Sequence, residues 1–159
     1  MSRFYLLLLV LVSSFTMSQD LALPLAKNFL EDAQLVRKNK TPILIMFSIP
    51  NCSYCQELKQ KVIAPMNELD EYKNKVIIRH VNAVTLKDMR DFHNNDTNHA
   101  RFAFQNGVSF YPTVFLVDNY GANLGKIVGI PSMDYYWTEL DKVIDKSIAK
   151  LKQQLEAKL

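Results

Sequence analysis

The two cysteines of this 159-residue chain lie three positions apart, between an apolar run and a polar run of helical composition. The apolar run "ILIMFSI" (43–49) is short and rich in β-forming residues, as in a strand buried on both faces. The stretch "SYCQELKQKVIA" then predicts a helix that stops near Pro65. Cys52 and Cys55 are therefore expected at the start of a helix that follows a central strand. A pair placed there can be a redox couple, half of a metal site or a small structural clip.

The first eighteen residues indicate export. Arg3 precedes an uninterrupted apolar run, residues 4–12, and the small residues Thr16 and Ser18 suit cleavage after Ser18. A membrane anchor needs roughly 20 apolar residues, and this run is much shorter. Residues 1–18 are therefore interpreted as a signal peptide, with a retained N-terminal tether as the alternative.

Residues 19–159 are long enough for one domain with a proper core and too short for two. Removal of Arg3 leaves 18 basic and 16 acidic residues, a net charge of +2. The charges alternate in sign without a basic stripe, which argues against nucleic-acid binding. Two cysteines do not make a disulfide-dense scaffold, and a chain of this size does not need one. An exported protein with one close cysteine pair is therefore expected to use that pair for chemistry.

Hydrophobic periodicity along the rest of the chain predicts alternating helices and strands. The expected elements are a helix over 20–39, strands over 43–49, 75–84, 111–118 and 126–130, and a last helix over 133–158. In the first helix, Phe29 and Val36 belong to the apolar face and Asp32 to the polar residues between. The strands 111–118 and 126–130 form a hairpin around the turn "NYGANLG". This order is typical of an α/β layer arrangement around one sheet.

Surface positions are expected for two histidines and for the end of the last predicted helix. His93 and His99 lie in a polar stretch and are interpreted as solvated. The last helix is longer than a small domain is wide, so its end is expected to overhang the sheet. There Leu151, Leu155 and Leu159 form either a seam for a partner or a tail that folds back on the first helix. We expect a monomer.

The segments "PILIMFSIPNCSYC", "FQNGVSFYPTVFLVD" and "GKIVGI" resemble those of exported bacterial thioredoxin-like proteins, over essentially all of residues 19–159. The resemblance implies a thioredoxin fold, with one mixed sheet, helices on both faces and a cis-proline, Pro112, before a hairpin strand. It also implies a periplasmic location. A substrate chain would pair with the main chain of Tyr111, which Pro112 holds next to the cysteines.

A helix N-terminus stabilises a thiolate, which makes Cys52 the expected nucleophile and Cys55, one turn further, the resolving thiol. Ser53 and Tyr54 lie between them and are expected to tune the reduction potential. The pair "SY" matches no functional subgroup, so the direction of electron flow stays open.

Two further positions bear on proton transfer by resemblance. Met46 lies where relatives have a buried acid that assists the resolving thiol, so another group or water must take the proton from Cys55. His80 matches a lysine of the family. A histidine in an apolar strand is more often a hydrogen-bonded structural residue than a catalyst, and both roles are considered for it.

Three functions remain open from the sequence. The first is a periplasmic thiol–disulfide oxidoreductase that acts on exported proteins, kept reduced by a membrane electron donor, with the Cys52–Cys55 disulfide as its only redox group and no metal. The second is a copper-handling protein that binds Cu(I) through the same pair. The third is a non-catalytic interaction domain, although a ring this small stabilises the chain little.

Overall fold

The computed structural model describes residues 22–157, which form a sheet enclosed by helices. The elements in chain order are α1 (Phe29–Asn39), β1 (Ile43–Ser48), α2 (Ser53–Leu58), α3 (Ala64–Glu68), α4 (Asp70–Lys73), β2 (Ile77–Asn82), β3 (Asp88–Arg90), β4 (Asp96–Asn98), α5 (His99–Gln105), β5 (Thr113–Val117), β6 (Asn123–Val128) and α6 (Met133–Glu156). The main sheet has the strand order β2-β1-β5-β6, and β3 pairs with β4 in a separate small ribbon.

Strand β1 lies at the centre of the main sheet, and every one of its residues is buried. It pairs in parallel with β2 on one side and antiparallel with β5 on the other. Strands β5 and β6 form the predicted antiparallel hairpin, although β6 begins at Asn123 rather than at residue 126. The apolar run before the cysteines is therefore a doubly covered strand, as its composition predicts.

Aromatic side chains fill the layer between the sheet and two of the helices. Phe29 of α1 and Phe102 of α5 have ring centroids 4.9 Å apart, and Phe47 of β1 lies 6.2 Å from Phe102. Side chains alternate along a strand, so Met46 and Ser48 face the opposite layer. Helix α6 packs against β5 and β6. Helices thus cover both faces of the sheet.

The first helix is shorter than the sequence predicts. It begins at Phe29 because the Asn28 side chain accepts hydrogen bonds from two main-chain N–H groups of the first turn. Residues 22–28 are instead extended, and both the N–H and the C=O of His80 in β2 form hydrogen bonds with this segment. The prediction of a helix over residues 22–28 was wrong. Helical periodicity does not show that the edge strand β2 forms main-chain hydrogen bonds with this segment. Residues 20–21 lie outside the described part of the chain.

The helix after the cysteines continues past Pro65, where the sequence predicts a stop. One π-helical turn, Lys59–Ile63, joins α2 to α3, and the helix ends at Glu68. Pro65 falls in the first turn of α3, after the hydrogen-bond register has changed. The π-helical turn directly before Pro65 changes the hydrogen-bond register, and the helix accommodates there a residue that has no N–H to donate.

The end of α6 does not overhang the sheet at Leu151, whose side chain is 0% exposed. Leu155 is partly buried against the same core. A cavity at the end of α6 is lined by Leu155 and also by Lys40, the C-cap residue of α1. The tail therefore lies beside the first helix, which is the alternative that competed with a seam. Leu159 lies outside the described residues.

One charged residue of α1 is buried. Asp32 is 4% exposed and accepts two hydrogen bonds from Arg79 of β2, at 2.9 Å from Nε and 2.5 Å from Nη2. The sequence places Asp32 among the polar residues of a surface helix. Its burial is possible because this bidentate pair satisfies both carboxylate oxygens.

Candidate active site

Cys52 and Cys55 form a disulfide, with an S–S distance of 2.06 Å and 5.2 Å between their Cα atoms. Cys52 is the N-cap of α2, as the sequence predicts, and is partly exposed. Cys55 lies one turn further and is 3% exposed. The two sulfurs therefore differ in access, since a partner molecule approaching from solvent reaches Cys52 first.

The start of α2 places a main-chain donor on the Cys52 sulfur. The N–H of Cys55 donates to Cys52 Sγ at 3.1 Å. Once the disulfide is reduced, a thiolate at this position is stabilised by the unpaired N–H groups of the first turn and by the helix dipole. A stabilised thiolate is the reactive form in thiol–disulfide exchange.

Met46 is fully buried in the middle of β1 and belongs to the same hydrophobic core as Cys55. Its Cα partners across the sheet are His80 in β2 and Val114 in β5. The structure thus has a thioether at the position that matches the family's buried acid, and a thioether does not accept a proton from Cys55.

His80 lies on β2, where its Cα pairs with that of Met46 in β1. Its Nε2 atom is 2.7 Å from the hydroxyl of Ser48, a buried residue four positions before Cys52. Burial lowers the pKa of His80 to about 4, and the charges of Lys59 and His99 act in the same direction. His80 is therefore neutral at neutral pH. Its hydrogen-bond partner Ser48 was not predicted from the sequence.

The expected surface position of His99 is wrong, whereas His93 is exposed as predicted. His99 is 0% exposed, and its Nδ1 accepts the N–H of Asn82 at 3.0 Å. Its Nε2 lies 2.9 Å from the carbonyl oxygen of Ala26, so it donates there. Burial lowers the pKa of His99. The side chain joins β2, α5 and the N-terminal segment, and this role is structural.

The Tyr111–Pro112 peptide bond is cis in the structure. The carbonyl of Pro112 accepts the N–H of Gly129 at 2.8 Å, which ties this bond to the loop after β6. Within the described residues, the main-chain N–H and C=O of Tyr111 make no hydrogen bond. The Tyr111 hydroxyl donates to the carbonyl of Val108 at 3.3 Å. Tyr111 therefore presents two free main-chain groups.

A groove of ≈ 410 Å³ lies beside Tyr54, the residue that directly precedes Cys55. It is lined by the residues Tyr54, Phe110, Tyr111, Pro112, Val128, Gly129, Ile130 and Pro131. The structure thus brings Tyr54 together with Tyr111 and Pro112, all three named from the sequence. Phe110 and the lining residues after β6 were not predicted from the sequence as part of the site. A hairpin pattern in the sequence does not show which end of the hairpin lies next to the helix that carries the cysteines.

The described part of the chain holds no cluster of three or more His, Cys, Asp or Glu side chains suited to a metal ion. Within residues 22–157, no helix combines the length and the apolarity needed to cross a bilayer. A cysteine pair at a helix start, above a mixed sheet with helices on both faces, defines a thiol–disulfide oxidoreductase of thioredoxin fold.

Comparison with known sequences supports this class. The family model described as Thioredoxin-like domain matches residues 29–144, and the chain belongs to that family. No curated protein sequence matches the chain at a significant level. The fold and the oxidoreductase class expected from the sequence are confirmed.

Solved structures agree on the fold. Oxidized thioredoxin O2 from Arabidopsis thaliana is 18% identical, covers 77% of this chain and 91% of its own, and has a TM-score of 0.51. A thioredoxin-fold protein from Helicobacter pylori is 20% identical, with coverages of 75% and 82% and a TM-score of 0.52. A DsbH oxidoreductase is 14% identical, with coverages of 78% and 86% and a TM-score of 0.53. At these identities the likeness establishes the fold alone.

Proposed function

We propose that this protein is a periplasmic thiol–disulfide oxidoreductase that reduces disulfides of exported partner proteins through Cys52 and Cys55. The observation that carries the proposal is the asymmetry of the pair. Cys52 is partly exposed at a helix N-cap, and Cys55 is buried one turn away. The free main-chain groups of Tyr111 support docking of an extended partner segment.

The reaction runs in two exchange steps. The Cys52 thiolate attacks one sulfur of the partner disulfide, forms a mixed disulfide and displaces the other partner sulfur as a thiolate. The Cys55 thiolate then attacks the Cys52 sulfur, closes the Cys52–Cys55 disulfide and releases the second partner thiolate. Two electrons pass from the protein to the partner. Two protons, one from each cysteine thiol, are left for the two partner thiols.

No acid lies at position 46 to take the proton of Cys55. Ser48 and His80 form a hydrogen-bonded pair on neighbouring strands. The lowered pKa of His80 makes its ring a weak base, so water is the proposed acceptor of the Cys55 proton. Ser53 and Tyr54, between the cysteines, are proposed to set the reduction potential.

The export signal and the supply of electrons belong to the same proposal. Residues 1–18 carry the sequence pattern of a signal peptide, and they lie outside the described residues. Outside the cytoplasm, a reductase needs an electron source that crosses the membrane, so a membrane dithiol donor is the proposed partner. The disulfide is the only redox group required, and the protein acts as a monomer.

Single cysteine variants test the proposal. Cys52→Ser should abolish the reduction of insulin, because it removes the attacking thiolate. Cys55→Ser should accumulate covalent mixed disulfides with exported proteins, because release needs the second thiol. His93→Ala, an exposed change away from the site, is the matched control and should keep full activity. Full activity in both cysteine variants would refute the proposal.

A redox titration separates the proposal from its alternatives. The protein is equilibrated with dithiothreitol or glutathione buffers, and in parallel titrated with Cu(I) and Zn(II). A reduction potential in the oxidoreductase range, roughly −270 to −120 mV, without tight metal binding is the expected result. Tight Cu(I) binding would favour copper handling instead. A pair found mostly oxidised in cells would overturn the reducing direction.

A further inference from the structure

We infer that the end of the domain opposite the cysteines binds the anionic headgroups of a phospholipid bilayer through Arg37, Lys38, Lys40 and Lys152, which together form the basic surface. The inference goes beyond the proposed function, because this surface takes no part in thiol–disulfide exchange. It depends on that proposal only for the location outside the cytoplasm. It follows from which cations the fold brings together, how few carboxylates accompany them and where the N-terminal segment enters the domain.

The four cations belong to the ends of two helices that lie side by side. Arg37 and Lys38 are in the last turn of α1, and Lys40 is its C-cap residue. Lys40 lines one cavity together with Lys152 and Glu156 of α6. The two helix ends are more than 100 positions apart in the sequence, so only the folded chain forms the basic surface.

The basic surface carries most of the charge imbalance of the protein. All four cations are exposed, and within residues 22–157 none of them forms an ion pair. Glu156 is the one carboxylate in the last turn of α6, so four cations and one carboxylate leave a net charge of +3 here, equal to that of the whole chain. A helix dipole stabilises a cation at its C-terminus, but cations from two helix ends repel each other, and a bound anion relieves that repulsion.

The basic surface and the cysteines lie at opposite ends of the sheet. Strand β1 begins at Ile43, three positions after Lys40, and ends at Ser48, four positions before Cys52. A strand of this length spans about 17 to 20 Å. A bilayer bound at the Lys40 end therefore leaves Cys52 open to protein partners.

The N-terminal segment enters the domain at the end that carries the basic surface. Leu25 forms a parallel bridge with His80, so residue 22, three positions earlier, is close to the level of Ile77, where β2 begins. Strands β1 and β2 are parallel and begin at the same end of the sheet. Nine residues separate residue 22 from the apolar run 4–12, a reach of at most about 30 Å. Before any cleavage, insertion of that run in a membrane therefore keeps the basic surface near the bilayer.

An apolar side chain beside the cations favours a bilayer over an acidic protein as the partner. Leu35 lies one turn before Lys38 on α1 and is 41% exposed. At a bilayer, such a side chain enters the headgroup boundary while neighbouring lysines and arginines reach the phosphates. Each basic residue near an anionic bilayer strengthens binding on the order of fivefold. Four of them give a reversible attachment that depends on salt.

Vesicle sedimentation tests the inference. The chain of residues 19–159, which contains the whole described fold and its core, is mixed with vesicles of phosphatidylcholine alone or of equal parts phosphatidylcholine and phosphatidylglycerol. The basic-surface variant carries Arg37→Gln, Lys38→Gln and Lys152→Gln together. Lys40 is left unchanged, because it has left-handed backbone with a φ of 56°, where a substitution affects the end of α1.

The matched control carries Lys27→Gln, Lys87→Gln and Arg101→Gln, three exposed cations on other parts of the fold, and changes the net charge equally. The wild type should bind the phosphatidylglycerol vesicles at low salt, release them at high salt and ignore phosphatidylcholine. The basic-surface variant should bind at least about tenfold more weakly, and the control less than about threefold more weakly. Thermal unfolding confirms that each variant is folded, and both should reduce insulin at the wild-type rate.

Equal weakening in both variants would overturn the inference, because net charge alone would then explain the binding. Binding of the wild type to phosphatidylcholine alone would do the same, since it needs no cations. Absence of binding to the phosphatidylglycerol vesicles would overturn the inference in favour of an acidic protein partner. The insulin assay is independent of the vesicles, so a wild type that fails to reduce insulin would refute the proposed function without affecting the result for the basic surface.

Discussion

The stability of this protein should fall steeply in mild acid because His80 is held neutral inside the fold. Its pKa is lowered from the ordinary value of 6.5 to about 4, by burial first and then by the charges of Lys59 and His99. The unfolded chain therefore binds a proton on this ring at a pH where the folded chain does not. The contribution is fully present above pH 6.5 and is lost as the pH falls toward 4.

The size of the effect follows from the two pKa values. Proton linkage for His80 alone removes about 2 kcal/mol of the free energy of unfolding between pH 7 and pH 5. The pKa of His99 is also lowered by burial, so His99 adds a loss of the same sign. The pKa of Asp91 lies below its ordinary value of 3.8, and its carboxyl titrates below this range.

Urea unfolding at pH 7 and pH 5 measures this loss for the wild type, His80→Asn and the exposed control His93→Asn. Asparagine keeps a polar group beside Ser48 but does not titrate. His80→Asn should lose about 2 kcal/mol less between the two pH values than the wild type. His93→Asn should lose as much as the wild type, because His93 is exposed and its ring is not buried on folding.

Each variant is compared with itself at the two pH values, so a general loss of stability in His80→Asn does not affect the result. Equal losses in the wild type and His80→Asn would refute the assignment of His80 as a buried neutral ring. A gain in stability on acidification would contradict the sign of the linkage itself.

The buried ion pair and the end of α6 give further expected outcomes. Asp32→Asn should lower the free energy of unfolding by about 3 to 5 kcal/mol in urea, because it leaves the Arg79 guanidinium without its bidentate partner. Leu151→Ala should cost about 2 to 5 kcal/mol, and Leu155→Ala clearly less, because only Leu151 is fully buried. Truncation after Ala149 should leave a monomer by light scattering, with lower stability; a dimer that dissociates on truncation would instead establish a seam between two copies.

The position of the cysteine pair was readable from the sequence because it depends on local patterns. Ile43–Ser48 is an unbroken apolar run, and such a run next to a polar helical stretch places Cys52 at a helix start whatever the rest of the chain does. The hairpin of β5 and β6 was predictable for the same reason, since alternating apolar residues around a glycine-containing turn form it locally.

The start of the first helix could not be read in the same way. Residues 22–28 have helical periodicity, yet they pair with the main chain of His80, which is more than fifty positions away. A sheet edge that requires hydrogen bonds competes with the local preference, and only the assembled sheet shows which of the two wins.

The burial of polar side chains was decided by tertiary structure alone. His99 bonds to Asn82, 17 positions away, and to Ala26, 73 positions away, and without both partners a histidine in this polar stretch would stay in water. The groove arises likewise, because Tyr54 of α2 and Phe110 of the segment before β5 are far apart in the sequence and line one cavity only in the folded chain. The sequence by itself determined the chemistry of the cysteine pair, whereas long-range packing decided what surrounds the pair. The physical reason is that local periodicity does not show which distant groups form hydrogen bonds with a buried polar atom.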